Sequence, residues 1–550
     1  MGKTNLRAIL IGIYLALGVS AASGQNTQRY LVVLRDKANS PFSTSRPEQF
    51  LSARSVSRRS KQNIALTERD LPVNPAYVSQ IRATGAEVLN TSRWLNAVLI
   101  RATATSLQQV IALPFVKGLE YGQRIGNSRI ATQTGQTNAF TKFGETQAQA
   151  QALPYGPSLT QLSQLGLDQL HDRGFRGEGK LVAILDAGFP NANTVPFLQP
   201  LITENRIVAT YDFVANNRRV FDDDSHGLNV LSIMAATADN RLYGGAFKAS
   251  YVLIRTEDAP TESPIEEAYW LLGAEFADST GADVINSSLG YTRFDPEFAA
   301  LDHTYSDLNG RTTLVSRAAQ WASETGMVVV IAAGNEGAAP WRYISAPSDA
   351  ADVLAVAATT SSGVRAQFSS FGPAPDGRIK PDVAAQGQSA IMGNPSGSVG
   401  SGSGTSFASP LMASFVTTLW QAYPHLTARE IVGVVRRAGH QSKKPDDQLG
   451  YGIPTFERAA ALAEVLSYTV ASPNPFTDDD FVTIPLGQMS TTPTLDAQLT
   501  DVSGRVVWQQ TIPAERVVSL SFKQLALPTG IYLLSLTSDG KRKTVRLLKR

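Results

Sequence analysis

The spacing of apolar residues changes along the chain, and the N-terminal part contains both strand-like and helical spacing. Residues 28–121 follow the order strand, basic loop, helix, two strands, helix and strand, with strand-like runs such as RYLVVLRD and NAVLIRAT. This order predicts a small α+β domain. Residues 122–157 are rich in Gln, Thr, Ala and Gly with little periodicity, which predicts an exposed linker open to proteolysis.

The middle of the chain, residues 158–466, alternates helical patterns with short runs that are apolar throughout. These runs are LVAILD, YVLIRTE, DVINSSLG, MVVVIAAGN and VLAVAAT. Strands of this kind are buried on both faces, and helices between them imply parallel crossovers. The predicted fold class is α/β, with a doubly wound, mostly parallel sheet. Ligands of such sheets bind beyond the carboxyl ends of the strands, where Asp186 and Asn335 stand.

The last part of the chain, residues 468–550, loses the helical spacing and alternates apolar with polar positions. Typical runs are FVTIPLG, RVVWQQ and IYLLSL, and turn-forming pairs such as Ser503-Gly504 separate several of them. This pattern predicts a C-terminal β-sandwich.

The N-terminus carries the features of an export signal. Lys3 and Arg7 precede an apolar run from Ala8 to Val19, and small residues follow up to Gly24. A bilayer crossing needs about 20 apolar residues, so this shorter run predicts a signal peptide over residues 1–24. No later segment is apolar enough for a membrane helix, so we expect an exported protein without a membrane span.

Charge and cysteine content exclude two classes of function. The 49 basic and 47 acidic residues are spread along the chain and leave a net charge of +2, so no basic patch predicts nucleic acid as a partner. The chain has no cysteine, which excludes thiol catalysis and disulfides.

Two motifs carry residues suited to proton transfer. Asp186 follows the strand LVAILD and enters a glycine-containing turn, where an ordinary turn or cap is the structural alternative. His226 stands in DDDSHGLNVLSIMAA at the start of a predicted helix, whose apolar spacing would hold the imidazole in position. An imidazole with an ordinary pKa near 6.5 can accept a proton at neutral pH.

Two further motifs predict a nucleophile and a hydrogen-bond donor. Asn335 ends the strand in MVVVIAAGNEG and serves either a tight turn or an oxyanion. Ser406 stands in SGSGTSFASP just before a long apolar helix, with Pro410 in the predicted first turn, and a plain N-cap is the alternative there. Together the four residues predict that Asp186 orients His226, which deprotonates Ser406 while Asn335 stabilises the developing oxyanion.

These four motifs, in this order, resemble those of the subtilisin-like serine peptidases over residues 158–465. The resemblance implies a serine endopeptidase that cleaves protein or peptide substrates through an acyl-enzyme and needs no cofactor for catalysis. It also implies that substrate pairs as a strand between two walls of small residues. The implied walls are Ser288, Leu289 and Gly290 on one side and Ala332, Ala333 and Gly334 on the other.

The flanking parts resemble known companions of this family. Residues 28–121 resemble an inhibitory subtilase propeptide, which implies that the chain's own propeptide is a partner and is cut away within the linker. The segment LTDVSGRVV and the ending RLLKR resemble a type IX secretion sorting domain. This implies contact with the type IX machinery, passage through the periplasm and across the outer membrane, and a secreted or cell-surface protein.

Several alternatives stay open or are disfavoured. The spacing of Gly174–Lys180 matches a phosphate-binding loop, but a predicted strand follows where a helix must begin. No G-x-S-x-G elbow supports an α/β-hydrolase. A subtilase fold without activity, acting as a binding or scaffold protein, is the remaining rival. Structural calcium is an expectation without assigned sites, with oxygen-rich loops at Asp222–Asp224 and Asp302–Gly310, the second including Asp307 and Asn309.

Overall fold

The computed structural model describes residues 27–127, 153–469, 471, 473–485, 494–514, 517–538 and 541–550. The predicted signal peptide, residues 1–24, lies outside the described residues. Most of the predicted linker, residues 128–152, also lies outside them.

The N-terminal unit is a four-stranded antiparallel sheet with helices on one face. Its strand order is β2-β3-β1-β4. Leu31 and Leu99 face the middle of the chain, whereas Val32 and Ile100 face this unit's own helices, as strand alternation requires. Its elements are β1 (Gln28–Leu34), α1 (Ala53–Lys61), α2 (Pro75–Ala83), β2 (Glu87–Ser92), β3 (Ala97–Ala102), α3 (Ala104–Ile111) and β4 (Val116–Leu119).

One element of this unit differs from the prediction. The segment expected to be a basic loop contains helix α1, which begins after the N-cap Ser52. Its sequence is polar with little apolar spacing, so it gives no sign of a helix that packs in the usual way. Helix α1 is stabilised instead by contacts with α8 (Ile265–Thr280) in the middle of the chain.

The middle unit contains a seven-stranded sheet in which every neighbouring pair is parallel, so the predicted doubly wound α/β fold is confirmed. Its first elements are α4 (Leu159–Ser163), α5 (Leu167–Asp172), β5 (Leu181–Asp186), α6 (Gln199–Thr203), β6 (Ile207–Asp212), α7 (His226–Ala235), β7 (Thr237–Ala238), β8 (Leu242–Tyr243), β9 (Ser250–Arg255) and α8 (Ile265–Thr280). It continues with β10 (Val284–Ser287), α9 (Leu314–Glu324), β11 (Val328–Ala332), β12 (Leu354–Thr359), β13 (Val383–Gln386), β14 (Ala390–Gly393), β15 (Val399–Gly402), α10 (Thr405–Ala422), α11 (Ala428–Arg437) and α12 (Phe456–Thr469).

The strand order of this sheet creates a crevice. The order is β13-β12-β11-β10-β5-β9-β6, so β6 and β9, which follow β5 in the chain, lie on one side of it, and β10 to β13 lie on the other. Helices α7 and α10 pack in the core on one face, and α8 and α9 pack in the core on the other. The carboxyl ends of β5 and β10 therefore form the switch point at which open α/β sheets bind ligands.

The C-terminal unit is built from antiparallel strands in two sheets, consistent with the predicted β-sandwich. One sheet pairs β16 with β19, and the other has the order β18-β17-β20-β21. The elements are β16 (Phe481–Pro485), β17 (Thr494–Asp501), β18 (Val506–Pro513), β19 (Val517–Ser521), β20 (Gly530–Ser538) and β21 (Lys541–Lys549). Across the described parts of the chain, none of the helices combines the length and apolarity that a membrane crossing requires.

Candidate active site

The carboxylate of Asp186 lies at the carboxyl end of β5 and is fully buried. Its Oδ1 accepts a hydrogen bond from the Ala187 N–H at 2.8 Å. Two residues further on, Gly188 has a φ of +153° and pairs with Asp223 in an isolated antiparallel bridge. A Cβ at Gly188 would lie 2.8 Å from the Asp222 carbonyl oxygen, so glycine lets this turn close against the segment that leads into α7.

The ring of His226, the first residue of α7, meets this carboxylate. Its Nδ1 lies 2.7 Å from Asp186 Oδ1. A Cβ at Gly227 would overlap the Gly188 carbonyl oxygen, so only glycine permits so close an approach of helix and turn. Because a carboxylate oxygen can only accept, Nδ1 carries the proton, and Nε2 of the neutral ring is left as the acceptor.

Burial and charge act on His226 in opposite directions. Burial of the imidazole lowers its pKa, but the charge of Asp186 and its hydrogen bond, with a smaller contribution from Asp224, raise the pKa above the ordinary 6.5. The net effect favours the protonated ring. A group of this kind can take a proton from a weak acid and release it again near neutral pH.

Ser406 is the second residue of α10 and is 8% exposed. Its hydroxyl donates to the Ser288 carbonyl at 3.1 Å, and the Ser288 hydroxyl donates to the Ser406 carbonyl at 2.9 Å. Pro410 lies in the second turn of the helix rather than the first, because α10 begins at Thr405. Since proline has no N–H, it cannot donate to the Ser406 carbonyl four residues earlier, and the Ser288 hydroxyl supplies that donor.

The Ser406 hydroxyl donates to the Ser288 carbonyl and not to the imidazole. Among the described residues, no hydrogen bond joins it to the His226 ring, although the ring of Phe407, the next residue, lies 6.0 Å from that ring between centroids. One side-chain torsion sets the direction of the hydroxyl without moving the helix. Hydrogen bonds of this kind are often long before substrate binds.

Asn335 is exposed, and its side-chain amide contacts the buried Thr405. Its Oδ1 accepts from the Thr405 N–H at 2.9 Å and from the Thr405 hydroxyl at 3.0 Å. Because only the oxygen can accept, these two donors fix the orientation of the amide and leave its NH₂ group for another partner. The arrangement provides a donor beside the N-terminus of α10, close to Ser406.

The two segments expected to form substrate walls follow neighbouring parallel strands. Ser288, Leu289 and Gly290 come after β10, and Ala333 and Gly334 come directly after Ala332, the last residue of β11. The walls therefore begin at the same edge of the sheet as Asp186 and Ser406.

A residue that the motifs did not indicate lies between these walls. The hydroxyl of Ser345 lies 3.1 Å from a Cβ built at Gly334 and would overlap one built at Gly290. Ser345 is 5% exposed, and its Oγ is buried without a hydrogen-bond partner among the described residues. No local motif marks Ser345. The loop after β11 places it between Gly290, which follows β10, and Gly334, which follows β11.

The two acidic loops considered for calcium are occupied by contacts within the protein. Asp223 pairs with the buried Arg255, and the Asp224 carboxylate accepts from the His226 N–H. In the other loop, the Asp307 carboxylate accepts from the N–H and the hydroxyl of Thr304. Within the described ranges, no group of three or more acidic or histidine side chains is arranged to hold a metal ion.

Three family models match successive parts of the chain. The model described as the subtilase family matches residues 177–452, just over half of the chain. A model of the peptidase S8 propeptide domain of Bacteroidota matches residues 29–138, and a secretion system C-terminal sorting domain matches residues 471–550. The matches follow the three units of the fold in order.

Individual relatives show the same relationship. The chain is 29% identical to subtilisin NAT of Bacillus subtilis subsp. natto over 286 residues, which cover 51% of this chain and 65% of that protein. It is 29% identical to subtilisin DY of Bacillus licheniformis over 51% of this chain and 89% of that protein. It is 24% identical to the cell wall-associated protease of Bacillus subtilis over 76% of this chain and 41% of that protein. With its two flanking domains and this central match, the chain belongs to the subtilase family.

Proposed function

We propose that this protein is a secreted serine endopeptidase with Asp186, His226, Ser406 and Asn335 as its catalytic residues. The observation that carries the proposal is the 2.7 Å contact between His226 and a fully buried Asp186, beside a serine at the start of α10. A buried carboxylate on Nδ1 leaves Nε2 as the base that a serine nucleophile needs.

In the proposed reaction, Ser406 Oγ attacks the carbonyl carbon of the scissile peptide bond as His226 Nε2 takes its proton. The negative oxygen that forms is stabilised by the Asn335 amide and by the Ser406 N–H, which has no acceptor within its own helix. His226 then gives the proton to the leaving amine as the C–N bond breaks. Water, deprotonated by the same imidazole, then attacks the acyl carbonyl carbon. The imidazole returns the proton to Ser406 Oγ as the ester C–O bond breaks, which releases the acid product and restores the serine.

The substrate is proposed to bind as an extended strand between the two walls. Backbone groups of Ser288–Gly290 and Ala332–Gly334 would pair with it, and the small, uncharged walls with the Ser345 hydroxyl between them favour uncharged side chains. No cofactor takes part in these steps.

The flanking domains support a secreted, self-inhibited precursor. The propeptide match is consistent with a chain that carries its own inhibitor, and we propose that it is cut within residues 122–157. The sorting-domain match supports delivery to the cell surface or the medium, with passage through the periplasm and across the outer membrane by the type IX machinery.

Labelling with a fluorophosphonate probe tests the proposed nucleophile. After the propeptide is removed, the wild-type protein is expected to react at Ser406, and the Ser406→Ala variant is expected to stay unlabelled. Cleavage of a peptide library by the same two proteins gives the preferred residues at the cut. A wild-type protein that neither labels nor cleaves would instead support the inactive binding protein, for which the hydroxyl turned toward Ser288 is the favouring observation.

A further inference from the structure

Helix α1 lies against the C-terminal end of α8. Helix α1 belongs to the N-terminal unit, called the propeptide unit from here on, and α8 belongs to the middle unit, called the peptidase unit. Two of its arginines are buried there, with Arg58 5% exposed and Arg59 2% exposed. Arginine is rarely buried without a charged partner, so the surface beneath these two side chains must supply one.

The partner is Asp278, which is fully buried near the end of α8. Arg59 donates to both of its carboxylate oxygens, at 2.7 and 2.8 Å, and Arg58 and Arg93 form ion pairs with it as well. Burial alone would raise the pKa of Asp278, but Arg93, Arg58 and Arg59 outweigh it and hold the pKa well below its usual range. Three guanidinium groups of the propeptide therefore meet one carboxylate of the peptidase unit.

Neighbouring carbonyls and a second carboxylate extend this recognition. The Arg58 Nε donates to the Thr325 carbonyl at 3.3 Å, and Arg54 pairs with Asp283. The side-chain amide of Gln62 donates to the Gly326 carbonyl at 2.8 Å. The contacts thus fall on the segments that follow α8 and α9, where helix carbonyls lack partners within the helix.

Two glycines allow the close approach of α1. Gly281 and Gly326 have φ values of +90° and +87° at the ends of α8 and α9. A Cβ at Gly281 would lie 2.7 Å from the Arg54 Cβ, and one at Gly326 would lie 2.8 Å from the Ile64 Cδ1. The surface is therefore matched to this segment in shape as well as in charge.

We propose that the surface formed by Asp278, Asp283, Gly281 and Gly326 is an arginine-recognition site that holds the propeptide helix Ala53–Lys61. The proposal rests on the proposed function in one respect: it takes residues 28–121 to be a propeptide that is cut within the linker. It predicts that this cut does not by itself release the propeptide. The contacts are remote in sequence from that cut. A propeptide without these arginines would leave Asp278 buried and unpaired, so the site selects the chain's own inhibitor.

Amide hydrogen exchange on the full-length Ser406→Ala chain tests the site without requiring catalysis. In the Asp278→Asn variant, exchange within residues 53–61 is expected to be at least about tenfold faster, because Arg58 and Arg93 lose the carboxylate they pair with and Arg59 keeps only Asp70. Glu324→Gln is the matched control, since Glu324 pairs with Arg69 on the same side of the molecule but is 41% exposed. Equal exchange in the Asp278→Asn variant and the control would overturn the proposal.

A second variant covers the case in which Asp278→Asn fails to fold. The double substitution Arg58→Gln and Arg93→Gln leaves the peptidase unit unchanged and is compared with Arg69→Gln. Faster exchange of residues 53–61 in the double variant alone supports the site, and unchanged exchange overturns it.

The active chain then tests retention of the propeptide after processing. In the parent protein, the propeptide fragment is expected to copurify with the peptidase and to limit fluorophosphonate labelling. The Arg58→Gln, Arg93→Gln variant is expected to lose the fragment and to label faster. Equal retention in both overturns the proposal. A complete lack of labelling in both would count against the proposed peptidase, whereas the exchange result would still decide the arginine site.

Discussion

At the scale of single residues, His226, which contacts Asp186, determines the pH range of the proposed reaction. Burial acts to lower the pKa of His226, and the charge of Asp186 raises it above 6.5. The proposed base works only as the neutral imidazole. Acid therefore removes the active form, and it does so at a higher pH than for an unpaired histidine.

We predict that kcat/KM falls as the pH is lowered through a value above 6.5, because the raised pKa of His226 keeps the ring protonated there. Asp186→Asn removes the charge that raises the pKa. Its residual activity is expected to be lower by about 10⁴-fold, with the acid limb moved to lower pH. Rates measured from pH 5 to pH 9 on one stable peptide check both effects, and a wild-type rate that does not change over this range would contradict the role of His226.

The amide of Asn335 acts through one end and is anchored through the other. Thr405 donates twice to its oxygen, so the NH₂ group is the end available to an oxyanion. A charged acid in the same place keeps the acceptor and loses the donor.

We predict that Asn335→Leu lowers kcat by about 10²–10³ with little change in KM, because the lost donor acts mainly in the transition state. Asn335→Asp keeps the two hydrogen bonds from Thr405 and is expected to be at least as inactive. Steady-state kinetics of both variants check this. Full activity of Asn335→Asp would show that only the anchoring of Thr405 matters.

At the scale of elements, the start of α10 is held by a reciprocal pair of hydrogen bonds. Ser288 and Ser406 each donate a hydroxyl to the other's backbone carbonyl. The pair joins the end of β10 to the helix that carries the proposed nucleophile. It is needed because Pro410 leaves the Ser406 carbonyl without its helical donor.

We predict that Ser288→Ala lowers the free energy of unfolding by about 1–2 kcal/mol, because it leaves the buried Ser406 carbonyl without a donor. In a Pro410→Ala background, the restored N–H can serve that carbonyl, so the same change is expected to cost less. The cost that remains reflects the buried Asn286 amide, which donates to the Ser288 hydroxyl. Urea unfolding of the four proteins, all carrying Ser406→Ala to prevent self-digestion, gives the coupling. Equal costs in the two backgrounds would show that the proline does not create the need for Ser288.

At the scale of the whole molecule, a buried histidine that is not among the proposed catalytic residues links stability to pH. His171 is fully buried, and its Nε2 must donate to the Gly245 carbonyl at 2.9 Å, which leaves Nδ1 to accept from the Tyr155 hydroxyl at 2.9 Å. Burial lowers the pKa of His171 to about 4. The unfolded chain takes up this proton near pH 6.5, before the folded protein does.

The folded protein is therefore expected to lose stability as the pH falls from 6.5 toward 4. For this residue the loss between pH 7 and pH 5 is roughly 2 kcal/mol. His171→Gln has no group that titrates in this range, so it should reduce the difference in thermal midpoint between the two pH values. The comparison uses Ser406→Ala chains with and without the substitution, and equal differences would contradict the prediction.

One face of the sheet in the propeptide unit is buried against the peptidase unit. Leu31, Trp94 and Leu99 share an apolar core with α8 and α9, and the opposite face packs on the unit's own helices. The alternation in RYLVVLRD and NAVLIRAT predicted the strands. It could not predict that α1 forms, because the stabilising carboxylate of Asp278 belongs to a helix more than two hundred residues later.

The sequence by itself determined the classes of structure and chemistry in this protein. Apolar runs such as LVAILD specify buried parallel strands because they have no polar face to turn to water, and the four motifs were sufficient to name the proposed catalytic residues. The tertiary structure decided which atoms meet: the Asp186 contact with His226, the direction of the Ser406 hydroxyl, Ser345 between the walls, and the arginines on Asp278. The physical reason is that burial and hydrogen bonding depend on neighbours brought from distant segments, and local sequence carries no information about their distance or orientation.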